Sequence, residues 1–490
     1  MKPQSVERAE AKFAHLGFTV VTGTRYLGGY VGADTDMKEW VGEKVAKWTT
    51  SVTALSRIAR ASPHCAFVGL TKSLQSEWCH LQRVQGGTDD AYAAIEKAIC
   101  DQFLPALQDT TEPLHPNLRS ILALPVRYAG VGLPKPTATA ARNHAASIDC
   151  TAALSDALLG GTAWSLQDHQ RTMKAGKTAA KERVNGESEE CRTRLDPALT
   201  ARLRRKLSRA PSTGAWITLL PTAVNGLSLS PGEFRDGMSL RYGWAFGALP
   251  KHCDGCGAKF TVEHALACKK GGLVLNRHNE VRDELGYLAC QAINPSSVRD
   301  DPIINIGRGA NSGGLPDKAK TQQTTKATPN KSPDPTTDGQ PFDRGDLLIR
   351  SLFDKQTSCV IDVRITDGDS PSRLSSSPAK VILSQEKEKK RKYLTACLEQ
   401  RRHFAPYVCD VYGLLGAEAQ AVNKRLAVRL ASKWTAPYSA TMGFVNARVS
   451  VAILRGVHQC LRGSRVPFRH ECTKWAAWDD GAGLGLFRGT

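Results

Sequence analysis

Four residues of types that commonly bind transition metals lie close together in the middle of the chain. Cys253, Cys256, His264 and Cys268 follow the pattern C-x2-C-x7-H-x3-C in the stretch HCDGCGAKFTVEHALACKK. The first pair predicts a tight turn, and His264 and Cys268 would share one face of a short helix. A closed set of thiolate and imidazole ligands is typical of a structural Zn²⁺ site. The alternatives are His252 as a substitute ligand, or unrelated thiols beside a buried histidine.

Two aspartates further along the chain are predicted to meet on one face of a sheet. The stretch FDRGDLLIRSLFDKQTSCVIDVRITDGD (342–369) predicts two short strands around a turn at Asp354–Gln356. If these strands pair, Asp346 lies opposite Asp362 or one step away, and opposed side chains are roughly 5 Å apart. Two such carboxylates repel each other unless a cation lies between them, and Mg²⁺ prefers oxygen ligands. The alternative is a pair of unrelated, exposed aspartates at strand edges.

The helix that follows would bring a lysine to the same place. SQEKEKKRKYLTACLEQ (384–400) predicts a helix on which Lys389 and Tyr393 share one face. Two metal-binding carboxylates and a lysine suffice for phosphodiester cleavage, because the metal activates water and the lysine offsets charge on the phosphate. Lys390 and Lys392 of the same basic run are predicted to contact nucleic acid. The alternatives for this run are a solvated helix or a nuclear-import sequence.

Other basic residues are expected to lie near a bound phosphate. RHNEVRDELGYLACQAI (277–293) predicts an amphipathic helix with Arg277, His278 and Arg282 near its start. In the second strand of the hairpin, alternation places Arg364 on the face of Asp362. A plain solvated face is an equally good interpretation of the arginines alone.

The composition favours a polyanionic partner. The chain has 490 residues, and 66 Lys+Arg against 47 Asp+Glu give a net charge of +19. An excess of this size is typical of nucleic-acid-binding proteins, although a basic protein that is merely soluble is the alternative. The chain contains no apolar run of about 18 residues, so no membrane span is predicted. The first residues lack the apolar core of a signal peptide. Because most of the 14 cysteines are scattered, we expect a reducing, intracellular environment.

Several helical segments and a few strands must position these residues. Residues 13–32 are predicted to be rich in β structure. The predicted helical segments are 36–110, about 136–210 with a polar interruption at 174–195, and 381–463. Residues 308–341 are rich in Gly, Ser, Thr, Pro and Lys, which predicts a disordered insertion.

The order of these motifs resembles the C-terminal part of site-specific non-LTR (LINE-type) retrotransposon proteins. C-x2-C, H-x3-C, RHN, R-G-D, I-D-V-R and K-K-R-K-Y follow one another here, as a CCHC zinc knuckle precedes a restriction-enzyme-like endonuclease of the PD-(D/E)XK class in that family. The resemblance implies that Asp346 and Asp362 hold Mg²⁺. It also implies that Lys389 is a catalytic lysine moved from the strand to the helix, with Tyr393 one turn on. Gly345 stands where the family has proline, and Arg364 takes the place of the strand lysine of the wider class.

The upstream sequence resembles parts of a reverse transcriptase. TRYLGGYVG is similar to the end of a palm domain and 36–110 to a thumb, but the polymerase motif Tyr-x-Asp-Asp does not occur in this chain. We therefore expect no DNA synthesis by the chain alone, and an N-terminally truncated element or one piece of a longer protein. The implied α+β organisation is a palm remnant (1–32), a thumb-like helical region (33–135), a helical connector (136–245), a CCHC zinc knuckle (246–272), a small α/β restriction-endonuclease-like domain (273–463) with the insertion 308–341, and a tail (464–490).

The function implied by this resemblance is nicking of target DNA for primed reverse transcription. Its expected partners are target DNA and element RNA, its cofactors are structural Zn²⁺ and catalytic Mg²⁺, and its location is the nucleus. Arg277 and His278 would bind phosphates beside the cleavage site. One alternative function is a non-catalytic DNA- or RNA-binding relic of a reverse transcriptase, and another is a translated pseudogene fragment without a role. The target sequence and the oligomeric state stay open.

Overall fold

The computed structural model describes residues 3–110, 116–306 and 342–466. Its fold is mixed α+β, with many helices and a small mixed sheet. The predicted insertion 308–341 and all but three residues of the predicted tail 464–490 lie outside the described residues. Within the described ranges, none of the helices combines the length and the hydrophobicity that a membrane span requires.

The first half of the chain is helical apart from one hairpin. The strands β1 (Gly23–Tyr26) and β2 (Gly29–Gly32) pair antiparallel, so the segment predicted to be rich in β structure contains two four-residue strands. The turn between them holds Leu27 and Gly28 at positive φ. The helices of this half are α1 (Pro3–Phe13), α2 (Asp34–Ala61), α3 (Pro63–Val68), α4 (Gln75–Val84), α5 (Ala93–Ala98), α6 (Leu104–Gln108), α7 (Pro116–Leu122), α8 (Pro136–Gly160), α9 (Leu166–Leu195), α10 (Ala201–Arg209) and α11 (Pro231–Tyr242).

The predicted interruption at 174–195 is wrong, because α9 runs through it as one helix of 30 residues. The segment is polar, but its Lys, Glu, Ala and Arg residues are good helix formers, and the charges lie at the surface. α9 also packs along α8: Arg183 lies 3.5 Å from Asp149, and a Cβ on Gly176 would come within 2.9 Å of the Cys150 sulfur. Close packing and surface ion pairs thus stabilise this helix, although its high content of charged residues had suggested an interruption.

The second half is built on a four-stranded mixed sheet with the strand order β3–β6–β7–β8. β6 pairs antiparallel with both β3 and β7, and β8 runs parallel to β7. A separate antiparallel pair is formed by β4 and β5. The strands are β3 (Val298–Asp300), β4 (Ile303–Ile306), β5 (Phe342–Arg344), β6 (Leu347–Arg350), β7 (Ser358–Thr366) and β8 (His403–Asp410).

Helices cover both faces of this sheet. On one face, Ile361 and Val363 of β7 join a large buried core formed with the helices α13, α15 and α16. On the other face, Val360 of β7 packs with Tyr393 of α14. This confirms the predicted alternation of β7. The helices are α12 (Val262–Ala267), α13 (Leu273–Ala292), α14 (Pro378–Glu399), α15 (Ala417–Trp434) and α16 (Tyr438–Arg462).

The expectation that 381–463 is helical throughout is wrong for β8. The sequence HFAPYVCD of β8 is a short, largely buried run with Pro406 inside it, and proline argues against a central strand. In the described part of the chain β8 is an edge strand with β7 as its neighbour, and only its end also bonds to the segment around Leu415. Pro406 therefore does not interrupt a ladder on both sides of the strand. The helix α14 connects the two parallel strands, as such a crossover requires.

The two halves of the molecule are joined by shared apolar packing. The core of the first half includes Val451 and Leu454 of α16, and the core of the second half includes Leu240 of α11. The short helix α10 adds polar contacts to the loop that follows β7. Asp369 in this loop accepts hydrogen bonds from Arg205 Nε at 2.8 Å and from Arg209 Nη1 at 2.9 Å.

The Asp369 carboxylate should stabilise the fold at neutral pH. Burial opposes its ionisation, but Arg209 and Arg205 outweigh burial and lower its pKa from 3.8 to about 2. This stabilisation is fully present above pH 3.8 and is lost as the pH falls through about 2; it corresponds to about 2 kcal/mol. We expect Asp369→Asn to lower the free energy of unfolding by about this amount at pH 7 and by less at pH 3. Urea denaturation at both pH values measures the difference, and an equal loss at both would contradict it.

Candidate active site and metal centre

The hairpin of β6 and β7 brings the two predicted aspartates together. Leu347 pairs with Ile361 and Leu348 with Val360, so the next step in this register sets Asp346 against Asp362. The backbone N–H of Asp346 donates to the carbonyl of Ile361 at 3.0 Å. The register is the one predicted from the sequence, because a tight turn near Asp354–Gln356 leaves little freedom in how the strands pair.

The Asp346 carboxylate is fixed from two sides. Its Oδ2 accepts a hydrogen bond from the backbone N–H of Val363 at 2.6 Å and lies 3.3 Å from Nε2 of His278, in the second turn of α13. Burial opposes ionisation of Asp346, but the contacts with His278 and Val363 outweigh it and lower the pKa of Asp346. Burial alone would lower the pKa of His278, yet Asp346 raises it above its ordinary value. His278 therefore contacts an aspartate of the site directly.

Asp362 lies in the interior of the same site, beside the predicted lysine. Its side chain is 9% exposed, and Nζ of Lys389 lies 2.7 Å from its Oδ2. Burial raises the pKa of Asp362 to about 6, although Lys389 opposes this; Asp346 adds to it. A buried carboxylate next to a second one is costly to ionise, and Lys389 offsets only part of this cost for Asp362. When both are ionised, the carboxylates of Asp346 and Asp362 carry negative charge that a bound cation would neutralise.

Tyr393 lies between two lysines of α14. The ring is buried and packs edge to face against Phe404, with 5.7 Å between the ring centroids. Nζ of Lys389 is 5.7 Å from the ring centroid of Tyr393, and Nζ of Lys392 is 4.6 Å from it. Lys392 also donates to the tyrosine hydroxyl at 2.7 Å. Because the ring is buried, this tyrosine can orient the lysine side chains more readily than it can contact a substrate.

Gly345, which precedes the first aspartate, occupies a crowded position. A Cβ there would come within 2.5 Å of Cγ1 of Val360. The N–H of Gly345 donates to the carbonyl of Pro302 at 2.9 Å. A proline has no N–H and would lose this bond, so the local packing of this chain suits glycine at the place where the resembled family has proline.

The remaining predicted nucleic-acid contacts lie around the site, and each is engaged with a carboxylate. Arg364 lies 3.1 Å from Glu388, Arg282 lies 2.8 Å from Asp283, and Lys392 lies 3.3 Å from Asp343. Lys390 forms an ion pair with Glu418. Such partly exposed pairs contribute little to stability, so a phosphate could replace the carboxylate partner at a small cost.

The structure corrects the prediction that Arg277 binds a phosphate. Arg277 is 3% exposed, and its Nη1 donates to the carbonyl of Leu266 at 3.1 Å. Its side chain packs against Gly456 of α16, where an added Cβ would come within 2.8 Å of the arginine Cγ. Arg277 and His278 are neighbours in the sequence, but they point in different directions on α13. The sequence alone could not show that Arg277 is the one that faces α16. Arg277 is thus an interior residue that joins α13 to α16 and to α12.

The four predicted metal ligands converge at the end of α12. Their ligand atoms lie within 4.8 Å of one another, so the cluster can hold a metal ion. The sulfur of Cys268 lies 3.9 Å from those of Cys253 and Cys256, and the sulfur of Cys256 lies 3.4 Å from Nε2 of His264. Burial opposes ionisation of Cys253, but hydrogen bonds from His264 and nearby backbone N–H groups outweigh it and lower its pKa to about 6. A lowered thiol pKa suits a thiolate ligand.

Arg465, which was not predicted from the sequence to have a role, connects this cluster to the end of α16 by hydrogen bonds. Arg465 is 1% exposed, and its Nη2 donates to the carbonyls of Ala265 at 3.0 Å and Cys460 at 2.6 Å. Its backbone N–H donates to Oδ2 of Asp254 at 2.7 Å. The glycines of the cluster leave room for it, since a Cβ on Gly271 would come within 2.4 Å of the Arg465 Cα. Nothing in the segment RGSRV marks this arginine as buried.

Comparisons with known proteins give no match for this sequence, either among protein-family models or among curated proteins. The functional assignment therefore depends on the order of the motifs and on the geometry of the two sites.

Proposed function

We propose that this chain is a retrotransposon-derived protein whose residues 273–463 form a Mg²⁺-dependent DNA endonuclease. The observation that carries the proposal is the contact of 2.7 Å between Lys389 and Asp362, on a strand whose pairing register sets Asp362 against Asp346. A buried carboxylate, a partly buried carboxylate and a lysine on a neighbouring helix form the minimal set for hydrolysis of a phosphodiester. The order of sequence motifs, which resembles that of LINE-type endonucleases, supports the same reading.

Asp346 and Asp362 are the residues that would hold Mg²⁺. They fit such an ion, because the pairing register sets the buried carboxylate of Asp362 beside that of Asp346, and carboxylate oxygens are ligands that Mg²⁺ prefers. When bound, Mg²⁺ would supply Lewis-acid stabilisation of the phosphate and a more acidic water. His278 and the Val363 N–H orient Asp346. Lys389 would contact the scissile phosphate and offset its charge, while Tyr393 restricts the position of the lysine.

We propose Zn²⁺ as the metal of the Cys253, Cys256, His264 and Cys268 cluster. Tetrahedral coordination with Zn–S bonds of about 2.3 Å implies about 3.8 Å between sulfurs and about 3.5 Å from sulfur to nitrogen. The observed separations of 3.9 Å and 3.4 Å match these values. Four protein ligands leave no open position, so the role of this ion is structural.

The partners we propose are target DNA and element RNA, and the location is the nucleus. The net charge of +19 and the partly exposed basic residues Arg282, Arg364, Lys390 and Lys392 around the site support a nucleic-acid partner. Nicking would expose a 3′-hydroxyl that can prime reverse transcription. Salt-dependent binding to DNA and RNA is expected to accompany cleavage.

The direct test is nicking of supercoiled plasmid by the purified chain, with Mg²⁺ and with excess chelator. Wild-type protein should convert the plasmid to the open circular form only with the metal. Lys389→Met removes the ammonium group beside Asp362, and we expect the nicking rate to fall by about 10²-fold or more. DNA affinity, measured at the same ionic strength without metal, should change little, because one phosphate contact is a small part of the total.

Lys387→Met is the matched control, because Lys387 is exposed two residues away on the same helix. This variant should nick at the wild-type rate. If the wild-type chain binds DNA in a salt-dependent manner but nicks it with neither Mg²⁺ nor Mn²⁺, the non-catalytic alternative replaces the proposal.

A further inference from the structure

A small cavity lies where the connector helices meet the second half of the molecule. It has a volume of about 30 Å³, is partly open, and is lined by residues of α10, α11, α16 and the segment that follows β8. Three basic side chains line it, and all are buried: Lys206 is 6% exposed, Arg209 is 3% exposed and Arg241 is 6% exposed. Buried arginines and lysines normally have carboxylate partners.

Among the described residues, only one of these three cations forms ion pairs with acidic groups. Arg209 forms an ion pair with Asp369 and lies 3.7 Å from Asp410. Asp369 also pairs with the adjacent Arg205. In the part of the chain that the structure describes, the two aspartates thus balance Arg205 and Arg209, and no carboxylate forms an ion pair with Lys206 or Arg241.

Arg241, which lines the cavity, has an unused donor on its guanidinium. Its Nε donates to the hydroxyl of Tyr242 at 3.1 Å and its Nη1 to that of Thr213 at 3.2 Å. Its Nη2 is buried without a hydrogen-bond partner. The guanidinium also lies 5.6 Å from the ring centroid of Tyr242. A buried guanidinium whose partners are all neutral carries a large desolvation cost unless a counter-ion accompanies it.

Lys206 lies on the same cavity, and the nearby carboxylates of Asp369 and Glu263 favour its charged form without outweighing burial. Its Nζ donates to the carbonyl of Leu240 at 2.8 Å and lies 5.0 Å from the ring centroid of Tyr412. Burial lowers its pKa to about 8. A carbonyl and an aromatic face stabilise an ammonium only in part, and an anion in the cavity would stabilise its charged form.

The size of the cavity selects the class of ligand. One water molecule needs about 10–15 Å³ of such space, so 30 Å³ holds two or three waters or one monatomic anion and is too small for a phosphate. A wider cleft of about 240 Å³ shares Thr213, Ser450 and Ile453 with the cavity and offers a path for a small ion.

We propose that Lys206 and Arg241, together with the hydroxyl of Thr213, bind a chloride-sized inorganic anion in this cavity. The ion balances one of the two positive charges, in a cavity that α10 and α11 share with α16 and the residues after β8. The site is separate from the proposed nuclease, and neither depends on the other.

The first test measures the melting temperature of the wild-type chain in sodium chloride, sodium bromide and sodium gluconate at one ionic strength. Gluconate is too large for the cavity. We expect chloride and bromide to raise the melting temperature over gluconate by about 3 °C, in a saturable manner. Arg241→Gln should remove this difference. Arg202→Gln should keep this difference. Arg202 is an exposed arginine of α10, the helix that carries Lys206, and it pairs with Glu263.

The second test locates the ion without a variant. In crystals of the wild-type chain grown with sodium bromide, an anomalous peak should lie between Nη2 of Arg241 and Nζ of Lys206. A peak there establishes the site even if Arg241→Gln fails to fold. Equal melting temperatures in the three salts together with no anomalous peak would show that water fills the cavity, and would overturn the proposal. A chloride effect that persists in Arg241→Gln, again without a peak, would overturn it as well.

Discussion

Replacing Asp362 by asparagine will abolish Mg²⁺-dependent nicking while the chain keeps its fold. Asparagine has nearly the same shape, but it cannot place a negative charge beside Asp346 for a cation. Loss of one group that stabilises charge in a transition state costs about 10²–10³-fold in rate, and we expect loss of a metal-binding carboxylate to cost at least that. The melting temperature should not fall, because burial already disfavours the charged form of Asp362 and raises its pKa to about 6.

The matched control for this variant is Asp354→Asn. Asp354 lies in the turn of the same hairpin, is exposed and pairs with His403 at 2.9 Å, so its replacement should leave nicking unchanged. Titration calorimetry with Mg²⁺ gives a readout that does not depend on turnover: binding seen in the wild type and in Asp354→Asn should be absent in Asp362→Asn. If Asp362→Asn nicks plasmid as fast as Asp354→Asn, the proposed active site is incorrect.

Replacing Cys253 by serine should release the zinc ion and destabilise the second half of the chain. Zn²⁺ contributes about 10 kcal/mol or more to the folding of isolated zinc-finger peptides, which is comparable to the whole stability of a typical domain, about 5–15 kcal/mol. Cys253 is 2% exposed and belongs to the core of the second half. We expect less than one zinc per chain by elemental analysis and fast amide exchange at the knuckle, residues 246–272.

Cys290→Ser is the matched control for that experiment. Cys290 is a partly buried cysteine of α13 outside the metal cluster, so this variant should retain one zinc per chain and exchange slowly at the knuckle. A Cys253→Ser protein that keeps both properties would show that the cluster does not bind zinc through this thiolate.

Short-range features of the fold could be predicted from the sequence. The register of β6 and β7 follows from a tight turn and a strand period of two, so Asp346 and Asp362 were expected to meet. The stripe of Val281, Leu285 and Leu288 on α13 is buried as its helical spacing predicts. In each case the determining interactions lie within a few residues or within one hairpin.

Features that depend on distant partners could not be predicted. Arg277 is buried because α16, some 180 positions later in the sequence, packs against it. The segment of β8 forms an edge strand because it pairs with β7, although Pro406 argues against a strand there. Arg465 is buried because the glycines of the metal cluster leave space for it. Local sequence carries no record of such contacts.

The helix α13 connects the two proposed sites. Its rotation about its own axis determines where His278 points. It begins at Leu273, five residues after the ligand Cys268, and carries His278 ten residues after that ligand. Each residue of an α-helix advances about 100° around the axis and about 1.5 Å along it. Inserting or deleting one residue between Cys268 and His278 would therefore swing the imidazole away from Asp346, while every side chain of both sites remained present. The length of this short spacer is thus under as strict a constraint as the identity of any ligand.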